Sequence, residues 1–384
     1  MTRGPTEVDR VGDLREVLTA TGAGLYLANH VAGPMPAESM AAVHESDDLE
    51  LRIGRAGPDR EDDIDQREKE ARAVVAAALK ASPEHVALVH GAGEGVRLAL
   101  IDLATHGSLE GRGRVLCQSS LGVNVVGAVT SVAAARGWTV DLVEDLPDVI
   151  AADVVISVVA HVDRDGRRMD LRRISSASRA AGARLLVDAS FSLGASPLDV
   201  TTDEVDIVVA DAHRWLLAPE GMGLAWVSPA LDGEAASRLR ATTDGFGRGR
   251  LLGLARSVGW LLMYIELPWV VARTVELADR LYGALAAVEG VSLVAEGDHG
   301  AVAAFGIEDW HADEAAEELS RGVFAIVEVD AAADLVRASV GAWNREQEVD
   351  RFVERVAELA EHTPETLPRK PSLTVLSDPG DVDA

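Results

Sequence analysis

Apolar residues fall in two rhythms along this chain. Short unbroken runs alternate with longer stretches in which apolar and charged positions recur at helical spacing. REKEARAVVAAALKA (67–81) predicts a helix, ALVH (87–90) a strand, and GAGEGVRLALIDLA (91–104) a glycine-rich turn entering a helix. RVLCQ (114–118), TVDLVE (139–144), ADVVISVVAH (152–161), RLLVDAS (184–190), VDIVVADAH (205–213) and GLAWVS (223–228) predict further strands, with helices at 122–136 and 171–183 between them. Continuously apolar strands suit a parallel sheet covered on both faces. Strands separated by helices of ten to fifteen residues imply βαβ crossovers and an α/β fold.

Past residue 265 the rhythm changes. A long helix (269–288) precedes strands VSLVAE (291–296), AVAAFGI (301–307), VFAIVEV (323–329) and DLVRASVG (334–341), and an amphipathic helix closes the region at 345–362. This predicts four parts: an N-terminal segment (1–29) packing on the smaller unit, a large domain (30–265), a small α+β domain (266–362), and a Pro- and Asp-rich tail (363–384) expected to be disordered.

Composition narrows the class. The net charge of −27, from 36 basic and 63 acidic residues, disfavours nucleic acid and anionic membranes as partners. No apolar stretch reads as a transmembrane helix or signal peptide, which points to the cytoplasm. The single cysteine, Cys117, excludes an internal disulfide and a thiolate-rich metal site. Lysine is scarce: only Lys69, Lys80 and Lys370 occur.

The informative stretch is 185–229: Asp188-Ala189 at a strand end, Gly194, Pro197-Leu198-Asp199-Val200, a strand, His213-Arg214-Trp215, then Ala218-Pro219-Glu220-Gly221-Met222-Gly223. Its order and spacing resemble the class V aminotransferases, the pyridoxal-phosphate (PLP) enzymes that include cysteine desulfurases, isopenicillin N epimerases, kynureninases and C–S lyases. LYLANHVAGPMP (25–36) and VRASVGAWNREQEVDRFV (336–353) match the family's two ends. The resemblance implies a fold-type I transferase with a mostly parallel seven-stranded sheet. It also implies a dimer, a homodimer or a heterodimer with an active relative, in which 242–260 serves as a loop completing the neighbouring site, and a small amino-acid-like ligand.

The resemblance assigns roles residue by residue. Asp188 takes the place of the acid that holds a pyridine nitrogen protonated. Gly91, Ala92 and Gly93 form the turn whose N–H groups meet a phosphate. Arg337 takes the place of the arginine that grips a carboxylate, and Asn29 and His161 lie on the substrate side. His161, Asp163 and Asp165 have ligand chemistry, but the family reads their loop as a substrate-side turn, so no metal is predicted.

The departures cluster in the same site. Arg214 stands where the imine-forming lysine belongs, and a guanidinium cannot form that imine. Asp211 replaces a phosphate-contacting serine, Leu121 the ring that stacks on the cofactor, and Arg250 a threonine that reaches the phosphate across the dimer. Asp211 and Arg214 lie three positions apart, and a salt bridge between them is expected. The leading expectation is a degenerate, catalytically impaired member acting as a dimeric binding or partner protein, with covalent PLP not expected. The alternatives are an enzyme using PLP or pyridoxamine phosphate without a lysine, with His213 as base, and an ordinary transaminase or C–S lyase.

Overall fold

The computed structural model describes residues 10–106, 113–231, 234–243 and 245–368. The chain enters through a helix, Arg10–Val17, and a two-residue strand, β1 (Leu25–Tyr26). It then builds β2 (Val86–Val89), β3 (Arg114–Gln118), β4 (Thr139–Val143), β5 (Val154–Ala160), β6 (Arg184–Asp188), β7 (Ile207–Asp211) and β8 (Gly223–Val227). These seven form one sheet in the order β2-β8-β7-β6-β5-β3-β4. Only β8 runs against its neighbours β2 and β7; the other pairings are parallel.

The period-two alternation of strand side chains divides two cores. Leu185, Val187, Val208, Ala210, Leu224 and Trp226 face one of them. Leu186, Ile207, Val209, Ala225 and Val227 face the other, against Val96, Leu100 and Leu103 of helix Ala92–His106 and Val125 and Val129 of helix Val123–Arg136. Both faces are thus covered, as the unbroken apolar runs require.

A second sheet, antiparallel, follows helix Leu267–Ala286: β9 (Val291–Leu293), β10 (Val302–Ile307), β12 (Glu328–Asp330) and β13 (Leu335–Ser339), in the order β12-β13-β10-β9. Between them β11 (Ala325–Ile326) leaves the sheet to pair in parallel with β1. The run 323–329, expected as one strand, is therefore two. Phe324, at a left-handed φ of 58°, caps helix Ala312–Val323 and leads into β11, and the break between the two strands falls at Val327.

Two further expectations are corrected. The segment 242–260 is not a loop throughout, because Arg248–Trp260 is helical. Its buried positions include Gly249, Gly253, Ser257 and Gly259, and a Cβ on Gly253 would fall 2.5 Å from Pro219. Small residues there buy close approach at the expense of helix propensity. The tail is ordered at its start, where the Leu367 N–H donates to the Thr363 carbonyl at 3.0 Å and the Leu367 side chain is buried. From residue 369 the tail lies outside the described residues. No single helix among the described residues is long and apolar enough to cross a membrane.

Candidate functional site

Because β2, β3, β5, β6 and β7 point the same way, their carboxyl ends share one edge of the sheet, where open α/β sheets place ligands. Gly91–Gly93 follow β2, Leu121 follows β3, His161 follows β5, Asp188 ends β6 and Asp211 ends β7. Most of the residues singled out from the sequence thus meet here.

Asp211 is the hub. Its Oδ1 accepts the Ala92 N–H at 2.9 Å, at the start of helix Ala92–His106, where unpaired amides and the helix dipole favour negative charge. Gly91 makes room for it, since a Cβ there would sit 2.9 Å from that oxygen, and its φ of +118° suits glycine alone. The other oxygen, Oδ2, accepts from Arg214 Nη2 at 3.3 Å, so the expected salt bridge is present. The Arg214 guanidinium carbon lies 4.2 Å over the Phe191 ring, and its Nε is buried without a partner. Gly33 fixes the arginine's backbone: its N–H donates to the His213 carbonyl at 2.8 Å, and a Cβ would fall 1.9 Å from the Arg214 carbonyl oxygen.

Asp188 is tied to the same hub. Its Oδ1 accepts the Ser190 N–H at 2.9 Å, and Ser190 Oγ accepts the Asp211 N–H at 2.9 Å. Burial pushes its carboxyl up to about 6, against the hydrogen bond from Ser190 and with help from the Asp211 charge. His161 is buried, and desolvation, then Arg168, push its imidazole down to about 4. Its Nδ1 has no partner, while its main chain bonds the Asp188 carbonyl and the Met169 amide. His213 is half-buried, and burial followed by the Arg214 charge lowers its pKa. Leu121 packs into the apolar core beneath helix Val123–Arg136.

The second cluster comes from the small unit. Arg337 on β13, with only 2% of its side chain exposed, donates from Nε and Nη2 to Asp165 Oδ1 at 3.1 and 2.7 Å, and from Nη2 to Asp330. Glu328 stands 3.6 Å away and also meets His30 Nε2 at 2.9 Å. Asn29 donates to the Ser339 carbonyl at 2.8 Å and leaves its buried Oδ1 without a partner. Arg250 stands apart: exposed beside Gly221, it makes no ion pair among the described residues. No group of three or more metal-ligating side chains occurs among the described residues.

Sequence reasoning missed Ser190, Phe191, His30, Glu328 and Asp330. Ser190 and Phe191 directly follow Asp188-Ala189 and His30 follows Asn29, so adjacency to the motif was the available signal.

Comparison with known proteins bears on this edge. The family model for aminotransferase class-V matches residues 25–352. A kynureninase of Pseudomonas fluorescens is 30% identical over 101 residues, 25% of this chain and 24% of its own length. The cysteine desulfurase IscS of Escherichia coli is 27% identical over 183 residues, 45% of this chain and 44% of its own. The match thus spans less than half the length of either curated relative. Among solved structures, the cystine C–S lyase C-DES in complex with cysteine persulfide superposes with a TM-score of 0.79 at 16% identity, covering 88% of this chain and 99% of that one. The apo cysteine desulfurase of Thermococcus onnurineus NA1 gives 0.76 at 18%, covering 94% and 100%. At these identities the likeness shows the fold.

Proposed function

Because this chain belongs to the aminotransferase class-V family, we propose that it is a degenerate, catalytically impaired member that serves as a dimeric binding or partner protein. The observation that carries this reading is the Asp211 carboxylate, which accepts the helix N–H of Ala92 and pairs with Arg214. The chain thereby supplies its own anion to the helix terminus, and an arginine where an imine would need an amine.

The residues present do not fit a covalently held pyridoxal phosphate. A phosphate at Ala92 would displace or oppose Asp211, and Leu121, part of the apolar core, offers no aromatic face. A second reading is non-covalent use of PLP or pyridoxamine phosphate. It is favoured by one observation, the buried Asp188 at the end of β6, where the family resemblance puts the acid that meets a ring nitrogen.

Incubation with PLP, followed by visible absorbance and by calorimetric titration with PLP and pyridoxamine phosphate, separates these readings. Our reading expects no imine band and no binding heat. A stable band, or turnover of an amino acid, would sink it. The dimer is supported by Met263 and Tyr264, exposed beside Pro36 and Glu38, and by Arg250 and Arg256, which have no carboxylate partner among the described residues. Sedimentation at micromolar concentration should give a dimer, and a strict monomer would count against it.

A further inference from the structure

Arg337 gathers three carboxylates that are held in different ways. Glu328 lies opposite it across the β12–β13 ladder and is shared with His30. Asp330 caps its own turn, accepting the Ala332 and Ala333 N–H groups at 3.0 and 3.2 Å, and also takes Arg164 at 2.9 Å. Asp165 differs. Among the described residues its carboxylate bonds and pairs with Arg337 alone, and it arrives from 172 residues away.

The hairpin that presents Asp165 is braced. Val162 and Arg168 bridge its base, and Asp163 Oδ1 accepts the Asp165 and Arg167 N–H groups at 3.0 Å each. Gly166, at a φ of +93°, lies against β10: a Cβ would fall 1.9 Å from the Val302 carbonyl oxygen, and the Gly166 carbonyl accepts the Gly300 N–H at 2.9 Å. Such bracing is more than a surface ion pair requires. It holds one carboxylate oxygen against the Nε and Nη2 edge of a guanidinium that is itself buried, the edge a planar carboxylate would take.

We propose that Asp165 is an internal ligand of Arg337. It occupies the position of a small carboxylate, so that wild-type Arg337 refuses a further carboxylate and the guanidinium is neutralised without one. This rests on the reading of the site as self-filled, and extends it from the helix terminus to the second anion position. Asp165 thereby sets specificity by exclusion. Its removal leaves a carboxylate-shaped vacancy whose other walls, Asp330 and Glu328, stay committed to their own partners.

The test is chemical rescue. Asp165→Ala is heated in sodium formate and in sodium chloride of equal ionic strength, beside the wild type. The variant should melt lower in chloride and recover in formate, with an apparent formate affinity about tenfold or more above that of the wild type. Asp165→Ser, which opens the same position with less loss of polarity, takes the variant's place should Asp165→Ala not fold. Equal responses of variant and wild type, or folded variants blind to formate, overturn the proposal. PLP uptake by the wild type would sink the functional reading and leave this rescue intact. Failed rescue with no PLP uptake would do the reverse.

Discussion

Arg214→Ala removes the cation that answers Asp211. The two side chains are 16% and 13% exposed and meet at 3.3 Å, so solvent screens them far less than a surface pair. Breaking a buried pair costs about 3–5 kcal/mol because the surviving charge is stranded. Two features shift that figure here. Asp211 keeps the Ala92 N–H and the helix terminus, which together offset up to about 2 kcal/mol. The contact of Arg214 with Phe191 is lost as well, at about 0.5–2 kcal/mol. The expected destabilisation is about 3 kcal/mol in urea denaturation at neutral pH. Asp211→Asn alone, and with Arg214→Ala, completes a double-mutant cycle with an expected coupling of about 1.5–3 kcal/mol. A coupling below about 0.5 kcal/mol would mean that the two groups are neighbours without being partners, and the account of Asp211 as a resident anion would fail.

Three other outcomes follow from the same geometry. Arg214→Lys alone should not yield an imine absorbance with PLP, whereas Arg214→Lys with Asp211→Ser should do better; tight uptake by the single variant would mean that the phosphate position had been open all along. The Asp188 carboxyl, raised to about 6 mainly by burial, contributes stability that is complete below its unfolded value of about 3.9 and lost as pH rises through about 6. Asp188→Asn should therefore gain on the wild type by about 3 kcal/mol between acid and neutral pH. The opposite trend of His161, whose contribution is lost as pH falls toward about 4, is common to both proteins and cancels in the difference; a pH-independent difference in unfolding free energy would refute the assignment. Gly33→Ala places a Cβ 1.9 Å from the Arg214 carbonyl and should destabilise by about 2–3 kcal/mol in the same assay, and an unchanged midpoint would show the contact to be soft.

The large sheet was legible because its strands are buried on both faces and read as apolar runs without interruption. Helix Ala37–Ile53 was not, since its buried residues are Ser39 and Ser46 and no apolar stripe marks its inner face. Helix Arg248–Trp260 hid for a related reason, as glycine and serine make much of its contact. At the site, the Asp211–Arg214 pair could be expected because the two lie three positions apart, at a strand end and in the bend that follows it. The partners of Arg337 could not be assigned to it. Glu328 is opposite by strand register and Asp165 comes from a distant hairpin, and no local pattern records either pairing.

A ribosome releases β1 long before the strand that completes it. Leu25 pairs with Ala325, and Asn29 bonds Ser339, 310 positions later. Leu14, Leu18, Leu25 and Leu27 are all buried in the finished protein. During synthesis β1 lacks its strand partner until residues 325–326 are made, while the central sheet can already assemble from earlier segments. Pairing of β1 therefore waits on the small unit, and contacts of such long sequence separation form slowly. A nascent chain halted before residue 325 carries these leucines on an otherwise charged segment with β1 unpaired, and chaperone contact would concentrate there.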